Sequence, residues 1–148
     1  MENLKVKIKK LNEKAILPTY GSPYAAGADL YACIDGDVTI EPHKTVLIKT
    51  GLSMEIPVGF AAFIYARSGL ASKRGLAPAN KVGVVDCDYR GEVMVALHNH
   101  SDIAQTVSVG ERVAQLVIAP YYTADFEEVS ELSDTVRGEG GFGSTGTK

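Results

Sequence analysis

A two-residue alternation of apolar and polar side chains, broken at short intervals by turn chemistry, limits this chain more than any other feature. It is plain in Leu4-Lys5-Val6-Lys7-Ile8-Lys9, where Leu4, Val6 and Ile8 are expected to face inward. It recurs in Leu52-Ser53-Met54-Glu55-Ile56 and in Val93-Met94-Val95-Ala96-Leu97-His98. Between such runs stand Asp35-Gly36-Asp37, Pro57-Val58-Gly59, Tyr89-Arg90-Gly91 and Val109-Gly110-Glu111, all with turn-forming residues. Many short strands at this spacing predict an all-β chain, a β-barrel or a jelly-roll sandwich. One segment breaks the pattern. Leu70-Ala71-Ser72-Lys73-Arg74 reads as a short helix, with Ser68 as its cap and Gly75 at its end.

The size of the chain suits one such domain. At 148 residues and 15.8 kDa it buries about two-thirds of its unfolded surface, enough for a core without disulfide support. The longest uninterrupted apolar stretch, Phe60 to Ala66, is too short to cross a bilayer, and Met1-Glu2-Asn3-Leu4-Lys5 has no signal-like apolar region. Cys33 and Cys87 are too few for a disulfide scaffold or a zinc site, so the reducing cytosol is the expected compartment. A net charge of −3 gives no electrostatic reason to expect nucleic acid or membrane as a partner. Locally the balance differs. Residues 67–90 carry five basic side chains against Asp86 and Asp88, a segment suited to a small anion, although a solvated face reads the same way.

After residue 132 the composition changes. Five of the 15 glycines fall in residues 138–148, and Phe142 is the sole large apolar side chain there. Residues 1–132 are therefore read as the β domain. Residues 133–148 are read as a flexible glycine-rich arm that closes over a ligand.

Five stretches carry candidate chemistry. In Ala66-Arg67-Ser68-Gly69-Leu70-Ala71, a guanidinium, a hydroxyl and an unobstructed amide stand where a helix begins, a setting that attracts phosphate. Gly83-Val84-Val85-Asp86-Cys87-Asp88-Tyr89-Arg90-Gly91 reads as an apolar strand running into a tight hairpin. It presents Asp86, which can act as a general base, and Tyr89, whose flat face can lie against a sugar or base. Asp86 and Asp88 can equally serve the turn alone. In Gly110-Glu111-Arg112-Val113-Ala114-Gln115, Gln115 occupies an otherwise apolar position and needs a partner, either a ligand or the core. Ala25-Ala26-Gly27-Ala28-Asp29-Leu30 places a carboxylate after small residues, to hold a metal-bound water or cap a turn.

The last stretch is Arg137-Gly138-Glu139-Gly140-Gly141-Phe142-Gly143-Ser144-Thr145-Gly146. It looks like a phosphate loop but lacks the lysine and the strand–loop–helix setting of one. His98 and His100 have strand spacing and share a face; with no third ligand nearby in sequence, solvent-facing histidines are the better reading. No histidine pairs recognisably with a nucleophilic Ser or Cys, so covalent catalysis has no support.

In order and spacing, these five segments resemble the five motifs of the trimeric dUTPases, from about residue 4 to the end of the chain. The resemblance implies a jelly-roll-like β protein of the β-clip type, assembled as a homotrimer with active sites at subunit interfaces. It implies hydrolysis of dUTP to dUMP and diphosphate with Mg²⁺ on the triphosphate, supplying dUMP for thymidylate synthesis and limiting uracil in DNA. Asp86 then looks like the base that activates water. Tyr89 resembles the residue that packs on deoxyribose, and Asn80 with the backbone from Gly83 onward resembles the uracil reader. Arg67, Ser68, Gly69 and Gln115 resemble the phosphate contacts, and Asp29 the support for metal-bound water. Arg137, Phe142, Gly143, Ser144 and Thr145 resemble the mobile arm, with Phe142 over the uracil and its neighbours on the γ-phosphate. Three positions depart from the usual motifs: Ala66 stands for a common Pro, Ala28 for a frequent aromatic, and Cys87 for a frequent Ser or Ala. The related dCTP deaminases, some of them bifunctional, share the fold and part of the motif set. A non-catalytic nucleotide sensor is the remaining alternative, and it would more readily have lost Asp86 or the arm.

Overall fold

The computed structural model describes residues 2–147. Twelve strands and one helix follow in order: β1 (Lys7–Lys10), β2 (Thr19–Tyr20), β3 (Ala28–Tyr31), β4 (Val38–Ile40), β5 (Thr45–Lys49), β6 (Leu52–Glu55), β7 (Phe60–Tyr65), α1 (Ser68–Arg74), β8 (Leu76–Pro78), β9 (Gly83–Val85), β10 (Met94–Asn99), β11 (Gln105–Val107) and β12 (Arg112–Pro120). All the strand pairings are antiparallel. They build a five-stranded sheet β2-β3-β12-β7-β9, a three-stranded sheet β5-β10-β8, and the pairs β1-β6 and β11-β4. The all-β reading holds, with the sheets left open and a single helix of seven residues.

The alternating runs become half-buried strands, as period-two side-chain geometry requires. On β10, Val95, Leu97 and Asn99 are buried while Met94, Ala96 and His98 face outward. Leu30, Ile40, Ile48, Leu52, Leu76 and Leu97 are fully buried, and each contributes roughly 1.5–3 kcal/mol through its lost contact with water. Asn99 is one of three buried polar residues among those described, with Thr50 and Ser53. Its Nδ2 donates to the carbonyls of Ile40 (2.9 Å) and Ile103 (2.8 Å), and its Oδ1 accepts from Ser101 N (2.9 Å) and Oγ (2.7 Å). Every lone pair and proton that burial would orphan is thereby used.

Four details depart from the sequence reading. Leu4 lies outside β1 and is 42% exposed, because pairing with β6 starts only at Lys7. Ser68 makes no cap: the backbone is still extended at Arg67 (φ −86°, ψ 130°), so Ser68 is already the first helical residue. Gly75 does end the helix, at φ 67°, with its N–H on the carbonyls of Ala71 and Leu70. The stretch around Asp86 is no β-hairpin, since β9 pairs with β7 and β10 pairs with β5 and β8; the turn crosses between two sheets. Finally, the last strand ends at Pro120, and residues 121–136 are exposed without helix or strand, so packed structure stops before the composition changes.

Candidate active site

The register of the large sheet decides where the candidate residues go. β12 lies between β3 and β7, and Gln115 stands opposite Asp29 on one side and Tyr65 on the other. These three side chains share one face. The next row, Ala28, Leu116, Ile64 and Gly83, takes the other face.

A small cleft of about 190 Å³ gathers Asp29, Arg67, Ser68, Gly69 and Gln115, together with Gly21, Ala25 and Gly27. Three of the motifs predicted from the sequence therefore meet here. Arg67 leaves the end of β7 and donates from Nε to Asp29 Oδ1 at 3.0 Å; the carboxylate is 14% exposed. Arg112 reaches the other oxygen, Oδ2, at 3.4 Å. A bulge between Arg112 and Ala114 shifts the register there, so Arg112 pairs opposite Tyr31. Gln115 Nε2 donates to the carbonyl of Ala66 at 2.8 Å, which ties β12 to the approach to α1. Its Oε1 occupies the place of a side chain at Gly27, where a Cβ would stand 2.2 Å away. Gly69 has open space where a Cβ would be. The first amides of α1 have no carbonyl inside the helix to accept them. Two guanidinium groups, a hydroxyl and backbone amides around one carboxylate make a cleft suited to an anion with an accompanying cation.

A second cleft, of about 280 Å³, lies where β9, the edge strand of the large sheet, faces the three-stranded sheet. Asn80, Gly83, Asp86 and Tyr89 line it, with Leu47, Ile64, Val84, Val85, Glu92, Val93, Met94 and Ala96. An edge strand leaves alternate N–H and C=O groups unpaired by the sheet, and these can read the rim of a flat polar ring. The Asn80 amide lies against Gly83, where a Cβ would be 3.2 Å from Nδ2. The turn closes with Tyr89 N–H on Asp86 O at 3.1 Å. Tyr89 Oη donates to the carbonyl of Glu92 at 2.9 Å, so the ring is held at its hydroxyl end. Glu92 in turn accepts the Gly51 amide at 2.9 Å. An apolar wall, an amide, an aromatic face and an exposed carboxylate thus line a single cleft.

The two clefts share no residue. Residues 135–147 join neither. Among the described residues their hydrogen bonds stay local: Arg137 Nε on Gly140 O (2.6 Å), Gly138 N on Thr135 Oγ1 (3.0 Å), Ser144 N on Gly141 O (2.9 Å). Phe142, at φ 49°, is fully exposed, and Gly143, Ser144 and Thr145 are exposed beside it.

The family model for dUTPase matches residues 13–146 of this chain. The deoxyuridine 5'-triphosphate nucleotidohydrolase of Syntrophotalea carbinolica is 49% identical over 146 residues, covering 99% of both proteins. That of Nautilia profundicola is 52% identical over 143 residues, covering 97% of this chain and 99% of its own.

The chain belongs to the dUTPase family.

A solved structure of the family, the Staphylococcus bacteriophage 80alpha dUTPase with dUPNHPP, superposes with a TM-score of 0.88 at 28% identity. It covers 98% of this chain and all of the phage chain. The five dUTPase-like motifs thus sit in three places: four around two clefts, and the last on the exposed carboxyl-terminal segment.

Sequence reasoning passed over Arg112, Glu92, Leu47 and Met94. Arg112 lies inside a motif already singled out, and its antiparallel register with β3 is what brings it to Asp29. Met94 comes from a strand whose alternation was visible, whereas Leu47 lies exposed on β5, a strand that the alternation did not single out. Among the described residues no three of His, Cys, Asp and Glu converge as a metal cage. His98 and His100 do share a face, with ring centroids 4.5 Å apart, and His98 Nδ1 is 2.8 Å from Thr45 Oγ1. No described helix is long and apolar enough to cross a membrane.

Proposed function

We propose that this chain hydrolyses dUTP to dUMP and diphosphate, with Asp86 activating the water that attacks the α-phosphorus. The observation that carries the reading is the cleft at the edge of β9, where Asn80 and Gly83 face Tyr89 and the Asp86 carboxylate. Uracil lies against the β9 edge and Asn80, which supply donors and acceptors matched to its O4 and N3–H. Tyr89 lies on the deoxyribose and leaves no room for a 2′-hydroxyl. Asp86 accepts a proton from water through a carboxylate oxygen as the oxygen–phosphorus bond forms, and diphosphate leaves with the electron pair of the broken bond. Phosphoryl transfer of this kind rests on placement and charge neutralisation, which fits a site without a nucleophilic side chain.

Arg67, Ser68, Gly69 and Gln115 bind and orient the phosphates. Arg112 holds Asp29 from the opposite side, leaving Arg67 free to share its guanidinium between Asp29 and a phosphate oxygen. The donor set fits a hard divalent ion carried by the substrate: one carboxylate, Asp29, stands beside an anion cleft, and Asp29 would hold Mg²⁺ through water. Bound Mg²⁺ supplies neutralisation of the charge that builds on the phosphates.

The functional unit is a homotrimer. The two clefts of one chain share no lining residue and do not merge. Facing clefts of neighbouring copies complete the site, and the arm at 133–148, with Arg137, Phe142, Gly143, Ser144 and Thr145, closes over it. Both cysteines are free, in keeping with a cytosolic enzyme of nucleotide metabolism that supplies dUMP and limits uracil in DNA.

The test is diphosphate release from dUTP, dCTP, dTTP and UTP, with and without Mg²⁺, with ammonia measured in the dCTP arm and sedimentation run in parallel. Rapid release from dUTP alone is expected, on a trimer. Ammonia from dCTP would transfer the chain to the deaminase side of the fold, and tight nucleotide binding without turnover would make it a sensor.

A further inference from the structure

Asp86 and Tyr89 work only if the turn between them is held to a fraction of an ångström, yet little secondary structure holds it. Asp86, Asp88, Tyr89 and Arg90 are all exposed, and the turn joins strands of two different sheets. Its backbone closes through one bond, Tyr89 N to Asp86 O. Arg90 adds two more. Its Nη1 donates to the carbonyl of Cys87 at 2.7 Å and to that of Tyr89 at 3.2 Å. Its Nη2 lies 3.6 Å from Glu55 Oε1, at the end of β6. Glu55 is itself anchored, because Lys7 stands directly opposite on β1 with Nζ 3.1 Å from Oε2. The Lys7 hydrogen bond and charge, then the charge of Arg90, hold the Glu55 carboxyl below the usual carboxylate range.

We propose that Arg90 is a positioning residue for the hydrolysis: anchored on Glu55, its guanidinium clamps the carbonyls of Cys87 and Tyr89 and so fixes where Asp86 and Tyr89 stand. This rests on the dUTPase reading of the cleft. Arg90 need not touch the nucleotide, since its donors are spent on the turn itself. A planar fork bridges two carbonyls and a carboxylate in one fixed geometry, whereas an ammonium group is a compact charge whose three donors rotate freely. The side chain is 54% exposed, and exposed ion pairs contribute little to folding, so its removal acts on the turn and spares the core.

The experiment uses full-length wild type, Arg90→Ala, Arg90→Lys and Glu55→Gln, each with kcat and KM for dUTP and UTP, a thermal melt and sedimentation. Misplacing a catalytic group by about 1 Å costs on the order of 10² in rate, so kcat of Arg90→Ala should fall roughly 10–100-fold. KM should move much less, the dUTP-over-UTP ratio should narrow, and the melt should stay close to wild type. Arg90→Lys should recover part of kcat, and Glu55→Gln should lose less than Arg90→Ala. If Arg90→Ala does not fold, the other two decide: lowered kcat with an unchanged melt supports the clamp, and wild-type kcat in both overturns it. A folded Arg90→Ala with wild-type kcat and nucleotide ratio also overturns it. So does a lowered melt with kcat per folded enzyme intact, which is the mark of a merely structural residue. A wild type inactive on dUTP overturns this assignment together with the reading beneath it, whereas an active wild type beside an unaffected Arg90→Ala overturns the assignment alone.

Discussion

Tyr89 and Gly91 define each other's place. A Cβ on Gly91 would stand 2.4 Å from the Tyr89 hydroxyl oxygen and 2.5 Å from Cζ, so the ring lies where any larger residue would put its side chain. Gly91→Ala must therefore push the ring aside and stretch its bond to Glu92 O. If the ring screens the sugar, Gly91→Ala and Tyr89→Ala should both narrow the preference for dUTP over UTP. The ratio of the two kcat/KM values measures this, and an unchanged ratio in both would locate discrimination elsewhere. Asp86 calls for a subtler substitution. Asp86→Asn keeps the shape and removes the basic lone pair, so turnover should fall by about 10²–10⁴ with nucleotide affinity within roughly tenfold. Paired turnover and equilibrium-binding measurements check it, and near-normal turnover would take the base role from Asp86.

At the scale of elements, what was legible followed from local chemistry. Alternation placed β6 and β10, and glycine at φ 67° ended α1 where an L residue would be strained. What was not legible depends on partners distant in sequence. Gln115 stood out as a polar residue in an apolar strand, but its acceptor on Ala66 is 49 positions away and only the β12–β7 register reveals it. Ser68 looked like the cap by residue type, while the backbone turns helical one residue earlier than that rule implies. The supposed hairpin at Asp86 failed because adjacent strands in sequence joined different sheets.

The outer end of β10 carries its own pH dependence. Desolvation, then the charges of His98, Lys81 and His43, hold the His100 imidazole below its usual value. Between that depressed value and the unfolded value near 6.5, the unfolded chain binds more protons, so stability rises with pH and is lost on acidification. His100→Asn should therefore lose less melting temperature than wild type between about pH 7 and pH 5. Identical slopes for the two proteins would clear His100 of the effect.

The whole molecule exposes 10,506 Å², against roughly 7,300 Å² expected of a compact monomer of this mass. The carboxyl-terminal segment contributes heavily, with Tyr122 and Phe126 more than nine-tenths exposed and Leu132 bare beside them. Apolar side chains left this open suit contact with neighbouring copies, in line with clefts that do not merge within one chain. Beyond Thr135 the character is different: the chain is glycine-rich, carries Arg137, Phe142, Ser144 and Thr145, and among the described residues its hydrogen bonds reach back no further than Thr135. Ending the chain after Thr135 should thus leave the melt and the oligomeric state nearly unchanged while activity collapses. Ordering this arm costs about 1–2 kcal/mol per residue of backbone entropy, a cost that contacts to a triphosphate can offset and an empty site cannot. Closure should then depend on the γ-phosphate and exclude water from the reacting centre. A thermal melt, sedimentation and a turnover assay on the shortened protein separate the cases. Unfolding or dissociation would make the segment part of the structure, and full activity would remove the arm from catalysis.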